Sequence, residues 1–154
     1  MNSGDRIRNQ IVGLADCQAL FFIQPKPTME QQIKKIQVIK FTAKQGNTVE
    51  YNANTKTEHD RIVGAFFRLS EPEALLGATV RMWIDDTEII PDDTEVALLH
   101  HSDDMSIDEV AFPLNEKAKN SPIRVLYKDD AKNMATDQDY EVRLYLLAVI
   151  DPKK

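Results

Sequence analysis

A chain of 154 residues with a net charge of −6 is long enough for one domain whose core needs no staples. Its hydrophobic share of 42% and charged share of 29% are ordinary for a folded chain and exclude wholesale disorder. The acidic balance argues against nucleic acid as a primary partner, since phosphate contacts need a basic surface, and no apolar run reaches membrane-spanning length. A single cysteine, Cys17, rules out an intrachain disulfide and any multi-cysteine metal cluster. Its neighbours Ala15, Ala19 and Leu20 suit a small buried residue better than a nucleophile. No secretory signal is visible, so the expectation is synthesis in a reducing cytoplasm.

Taken in order, Met1 to Gly4 is a polar start, and Asp5 to Gln24 mixes helical spacing at Ile7, Ile11 and Leu14 with a short apolar run, Ala19 to Ile23. A short helix or an irregular arm is expected there. Pro25 and Pro27 bracket Lys26 and force extended geometry, which reads as a hinge. The expected organisation is therefore an N-terminal arm over residues 1–27 and a body over 28–154.

The body opens with Met29 to Lys44, a possible helical turn followed by a β-branched strand, IQVIKFTAK. Gln45-Gly46-Asn47 is a turn and Thr48 to Asn52 a second strand, together a plausible hairpin. Lys34, Lys35, Lys40 and Lys44, with Lys26 before them, sit among apolar residues in the manner of a solvated strand edge. Asn52 to Asp60 is a polar loop, and Arg61 to Leu69 a strand in which Gly64 marks a bulge or a close backbone approach. Ser70 could cap a helical turn that Pro72 enters and Gly77 stops.

Ala78, Val80, Met82 and Ile84 alternate with Thr79, Arg81, Trp83 and Asp85, the period of a strand with one face on a core. An acidic turn at Asp85-Asp86 leads to Ile89-Ile90, Pro91 and a second apolar run, Val96 to Leu99. That stretch, Ala78 to His101, reads as the middle of an antiparallel sheet. Ile107 to Phe112 is expected as a short strand, Leu114 to Ser121 as a turn-rich link, and Ile123 to Tyr127 as a further strand. Asp129 to Asp139 is the most clearly exposed loop. Tyr140 to Ile150 is a long closing strand, apolar on both faces toward its end, whose C-terminal half should lie centrally. Seven to nine short strands with little helix predict an all-β fold: an antiparallel β-sandwich, jelly-roll-like, with an N-terminal arm or short helix. The repeated DDTE at Asp85–Glu88 and Asp92–Glu95 reads as paired turn chemistry.

Little of this carries chemistry. Asp85, Asp86, Asp92, Asp93, Asp103 and Asp104 could offer hard oxygen ligands to calcium, but no D-x-D-x-D-G loop is present and adjacent turn aspartates are common. His100 and His101 stand at the end of an apolar run, where successive strand side chains point to opposite faces and would not share an ion. His59 lies in a loop. No G-x-S-x-G, H-E-x-x-H or P-loop accompanies them. No catalytic residue, metal ligand or cofactor is therefore assigned, and a non-enzymatic protein is expected. Phe41, Phe66 or Phe67, Trp83, Phe112, Tyr127 and Tyr145 are placed where a sandwich core would want aromatics. Trp83, opposite Val80, Met82 and Ile84, is either buried, the favoured reading, or exposed for a partner or a sugar.

The run RIVGAFFRLSEPEALLGATVRMWIDDTEIIPDDTEVALL, through SPIRVLYKDD to YEVRLYLLAVI, resembles small β-sandwich structural proteins of tailed and icosahedral bacterial viruses. The carrying features are the Pro25-Lys26-Pro27 hinge, the I-D-D-T-E-I-I-P turn and a long closing strand after an acidic loop. The resemblance implies a structural protein of a virion (capsid, vertex or tail) and no catalytic residue. The expected partners are further copies of the chain in a homo-oligomer and other structural proteins of the particle, with no nucleic acid and no membrane. A ligand-binding sandwich for carbohydrate or peptide, using Trp83 and the acidic loops, is the alternative.

Overall fold

The computed structural model describes residues 32–101, 106–130 and 139–152, and among these, eight strands wound into two stacked antiparallel sheets hold the candidate surfaces. The strands are β1 (Ile33–Lys44), β2 (Thr48–Asn54), β3 (Arg61–Leu69), β4 (Ala78–Ile84), β5 (Thr87–Glu95), β6 (Phe112–Lys117), β7 (Pro122–Asp129) and β8 (Asp139–Ile150). One sheet has the order β1-β8-β3-β6 and the other β2-β7-β4-β5. Pairing is nested: first strand with last, second with seventh, third with sixth, fourth with fifth. A single long antiparallel hairpin wrapped over itself has this pattern. The expected arm, its Pro25-Lys26-Pro27 hinge and Cys17 lie outside the described residues, as do Asp103, Asp104 and most of the expected loop before β8.

Alternation builds the core. Ile39, Phe41 and Ala43 of β1, Val142, Leu144 and Leu146 of β8, and Ile62, Ala65 and Phe67 of β3 are buried together with Val80, Met82 and Ile84 of β4 and Ile123, Val125 and Tyr127 of β7. β8 lies between β1 and β3, and of its outward residues Tyr145 and Leu147 are half-buried while Arg143 is exposed. It is central along its whole length rather than in its C-terminal half alone, because β1 pairs with it from Lys44 to Ile33. Likewise β4 is internal, between β7 and β5, whereas β5 is an edge.

Several expectations are corrected. The turn after β1 forms, with Asn47 N–H donating to Lys44 O at 3.0 Å and Gly46 at φ 73°. Its two strands nevertheless do not make a hairpin, because β1 joins β8 and β2 joins β7 in opposite sheets. Val96–Leu99 is a 3-10 helix rather than strand, with Val96 and Leu99 turned into the core. Ile107–Val110 is a single helical turn, and the strand begins only at Phe112, running through what was read as a link. Ser70 does not cap the 3-10 helix Pro72–Leu75; its hydroxyl accepts the backbone N–H of Glu141 at 2.9 Å. Asp129, placed in an exposed loop by the sequence, is buried at the end of β7.

Gly64 has both expected properties. The β3 ladder shifts register between Ile62 and Gly64, and a Cβ there would lie 3.0 Å from Ala111 Cβ and 3.3 Å from Leu147 Cδ1. Its bareness lets the Ala111–Phe112 backbone cross close over the outer face of β3. The two DDTE segments each put one aspartate in the left-handed region, Asp85 at φ 51° and Asp93 at φ 60°. Asp85 makes the β4–β5 turn; Asp93 sits beside Pro91 where β5 bulges away from β4 between the pairs Val80–Thr94 and Met82–Ile90.

Candidate functional site

Trp83 is the first outward-facing feature, and its position corrects the favoured expectation of burial. It projects from β4 onto the solvent side of the β2-β7-β4-β5 sheet and is half-buried. Its neighbours follow from register: Arg124 is its cross-strand partner on β7 and Arg81 lies two residues before it on the same face. Both guanidinium groups lie over the indole, at 4.0 Å for Arg124 and 4.6 Å for Arg81. Arg81 also donates to Glu88 Oε1 at 2.6 Å and lies 3.7 Å from Asp92, and these carboxylates push its pKa up. With Glu50 and Leu126 these residues line a shallow groove of about 310 Å³. A sugar or a ring seeking to stack on Trp83 must first displace an arginine.

The acidic pairs do not converge. Asp85 and Asp86 are in the β4–β5 turn, while Asp92 and Asp93 are on the β5 bulge, where Asp92 faces Arg81. Among the described residues no three of His, Cys, Asp and Glu come together in a way that could hold a metal ion.

The histidines are built into the fold. His101 follows the 3-10 helix instead of a strand: its N–H donates to Phe67 O at 3.2 Å and its ring packs on Phe66 with centroids 5.0 Å apart. His100 forms an isolated parallel bridge with Phe67. His59 is buried in the loop before β3, and burial lowers its pKa. Its Nδ1 and both ring nitrogens of His101 have no hydrogen-bond partner.

A second buried polar group ties the two sheets. The Tyr140 hydroxyl on β8 donates to Asp129 Oδ2 on β7 at 2.6 Å and lies 3.2 Å from the Tyr127 hydroxyl. Burial is the main cause that pushes both phenols far above their usual pKa; for Tyr140 the bond to Asp129 adds to it. The bond runs between two interior strands, so it acts as a clamp and faces no groove.

The outer face of the other sheet carries exposed apolar side chains on its edge strand. On β1, Ile36 is 46% and Val38 42% exposed, and both point away from the core. Ile36 is opposite Leu147 and Val38 opposite Tyr145 on β8. Tyr145 stacks on Phe66, 4.7 Å between centroids, which places both on this outer face and not in the core where the sequence reading had put Tyr145. Between β1 and the turn Ile107–Val110 lies a groove of about 510 Å³ lined by Lys34, Lys35, Ile36, Val63, Ile107 and Leu147. The sequence reading assigned these β1 residues only to a solvated edge. The lysines are indeed exposed on an edge strand; the groove between them and residues 106–107 was missed.

Comparison of the chain with family models, curated proteins and solved structures finds no match. No helix among the described residues is long and apolar enough to cross a membrane.

Proposed function

We propose that this is a non-enzymatic assembly protein, a jelly-roll building block that makes contacts with further copies of itself within a homo-oligomer or particle. The observation that carries the reading is the apolar groove on the outer face of β1, β8 and β3. An outward row of Ile36 and Val38 on an edge strand, continuous with Leu147 and Ile107, leaves in water a surface that association would remove. The nested order of the eight strands supports the fold half of the proposal, since two Greek-key halves folded into facing sheets are the jelly-roll pattern. The proposal extends to a virion as the assembly, with the chain as a capsid, vertex or tail component; the resemblance in sequence texture supports that step. It does not depend on residues 1–27.

A ligand-binding module built on Trp83 is the competing reading. The two guanidinium groups over the indole weigh against it, because they occupy the ring that a sugar would use. Light scattering on the full chain and on an Ile36→Glu, Val38→Glu variant tests the assembly reading. The expected result is an oligomer that the paired charges disperse without loss of the β-sheet circular dichroism signal. A wild-type chain that stays monomeric contradicts it.

A further inference from the structure

The outer face of the β2-β7-β4-β5 sheet holds cations that the molecule itself leaves unmatched. Arg124, Leu126 and Lys128 alternate along β7, an interior strand, and so point the same way, into solvent. Arg124 and Lys128 are exposed and Leu126 is half-buried. Register sets Trp83 opposite Arg124, Arg81 opposite Leu126 and Thr79 opposite Lys128. Arg81 is already paired, with Glu88 and Asp92 of β5. Among the described residues Arg124 and Lys128 have no carboxylate within ion-pair distance.

Arg124 is also held in place. Its guanidinium lies 4.0 Å over the Trp83 ring, so the order that binding would otherwise have to impose is already present. A guanidinium stacked by its face keeps its donors at its edge, where a carboxylate can accept two of them. The arginines that close Trp83 to a sugar thereby open it to an acid. The remaining carboxylates of this face stand on the two edge strands, Glu50 on β2 and Glu95 on β5, and bound the positive strip on both sides. Isolated acids spaced along the strip fit between them; a polyanion charged at every unit would be repelled.

We propose that this face docks an extended acidic segment of a different protein. One carboxylate sits on Arg124, an apolar side chain two residues on packs over Leu126 in the groove, and a second carboxylate two residues further meets Lys128. Alternate residues of an extended segment share a face, and Arg124 and Lys128, four residues apart, are separated by about 13 Å, the rise of the segment that spans them. A second copy does not supply the pattern. The one stretch of the sequence with acid, apolar and acid at these alternate positions is Glu88, Ile90 and Asp92. There Ile90 is buried in the core and both acids face Arg81. The surface is on the opposite sheet from the apolar groove and does not rest on the assembly reading.

Fluorescence anisotropy of a labelled probe, Gly-Ser-Glu-Ser-Leu-Ser-Glu-Ser-Gly, titrated with the full chain at low salt tests it. Saturable binding with Kd on the order of 100 μM is expected, weakening about tenfold in Arg124→Ala and falling as salt is added. Glu50→Gln should tighten it about twofold by removing a like charge beside the acid, and a probe with both glutamates replaced by glutamine should not saturate. The Ile36→Glu, Val38→Glu variant should bind as the wild type does; loss of binding there would put the probe elsewhere and overturn the assignment. No saturation by wild type up to about 2 mM, equal binding of the glutamine probe, or equal binding by Arg124→Ala also overturns it. Inorganic polyphosphate bound more tightly than the probe and released by Arg124→Ala would overturn the carboxylate assignment in favour of phosphate. Unchanged melting curves establish folding. If Arg124→Ala melts early, Lys128→Ala and Glu50→Gln must move the affinity in opposite directions, and failure of either to do so overturns the docking.

Discussion

Replacing Tyr140 by phenylalanine should destabilise the sandwich more than any other single-oxygen deletion in its core. The Tyr140 hydroxyl donates to Asp129 Oδ2 at 2.6 Å, a charge-assisted bond between buried partners on opposite sheets. Hydrogen bonds to charged groups contribute about 1.5–3 kcal/mol, and deletion leaves a carboxylate oxygen buried without that donor. For a chain of this length each kcal/mol lowers Tm by about 2–4 °C, so a fall of roughly 3–12 °C is expected. Tyr127→Phe removes only the weaker 3.2 Å contact and should cost about 0.5–1.5 kcal/mol. Urea denaturation of both variants, with the double variant to close the cycle, gives the comparison; the slope against urea should not change. A Tyr140→Phe chain within about 0.5 kcal/mol of wild type would refute the reasoning, as it would show the clamp contributes no more than a surface contact.

The same tyrosines should make the protein sensitive to alkali. Their phenols are raised in the folded state, so the stability they confer is complete below their unfolded pKa, near 10, and is lost as pH rises above it. Absorbance titration at 295 nm should show two of the four tyrosines ionising only with unfolding; four ordinary titrations would contradict this. His59 acts at the other end: burial lowers its pKa below 6.5, so the unfolded chain binds a proton more readily and stability falls as pH drops through that value. The His59→Gln variant should show a flatter melting-temperature profile between pH 7.5 and 5; an unchanged slope would discount the histidine. Trp83 is the chain's single tryptophan, so its emission reports on the groove directly. Arg124→Ala should shift that emission to the red by uncovering the indole, whereas oligosaccharides added to wild type should leave it unchanged; saturable quenching by a sugar would favour the ligand-binding reading.

What could be read from the sequence was set by how local the physical signal is. Arg61–Leu69 was legible as an apolar, aromatic run bounded by polar turns, and Ala78–Ile84 through its alternation. Val96–Leu99 was not: four apolar residues in a row suit a buried strand or a buried turn equally, and only packing on β3 and β4 decides for the 3-10 helix. The β1–β2 connection has the chemistry of a hairpin turn, yet partner choice lies with β7 and β8, far along the chain, where no local pattern reaches.

Trp83 was misjudged by average burial. Its strand alternates plainly, and the face opposite Val80 and Met82 is the solvent face of a two-layer sandwich, so the period alone pointed to the exposed option. The groove was beyond local reading because β1, β3, β8 and the turn after residue 106 each contribute one side of it. A partial signal was present: Ile36, Val38, Ile39 and Phe41 put apolar residues on both faces of a strand that proves to be an edge. An edge strand apolar on both faces has two surfaces to cover, and one sandwich covers only one of them.

The central claim, that this sandwich exists to contact copies of itself, is most directly tested by sedimentation velocity of the unmodified full chain over a hundredfold range of concentration, on the order of 1 to 100 μM, where moderate interfaces begin to populate. Self-association through the apolar outer face predicts a weight-average sedimentation coefficient that rises with concentration. A single sedimenting species of monomer mass throughout the range would contradict it.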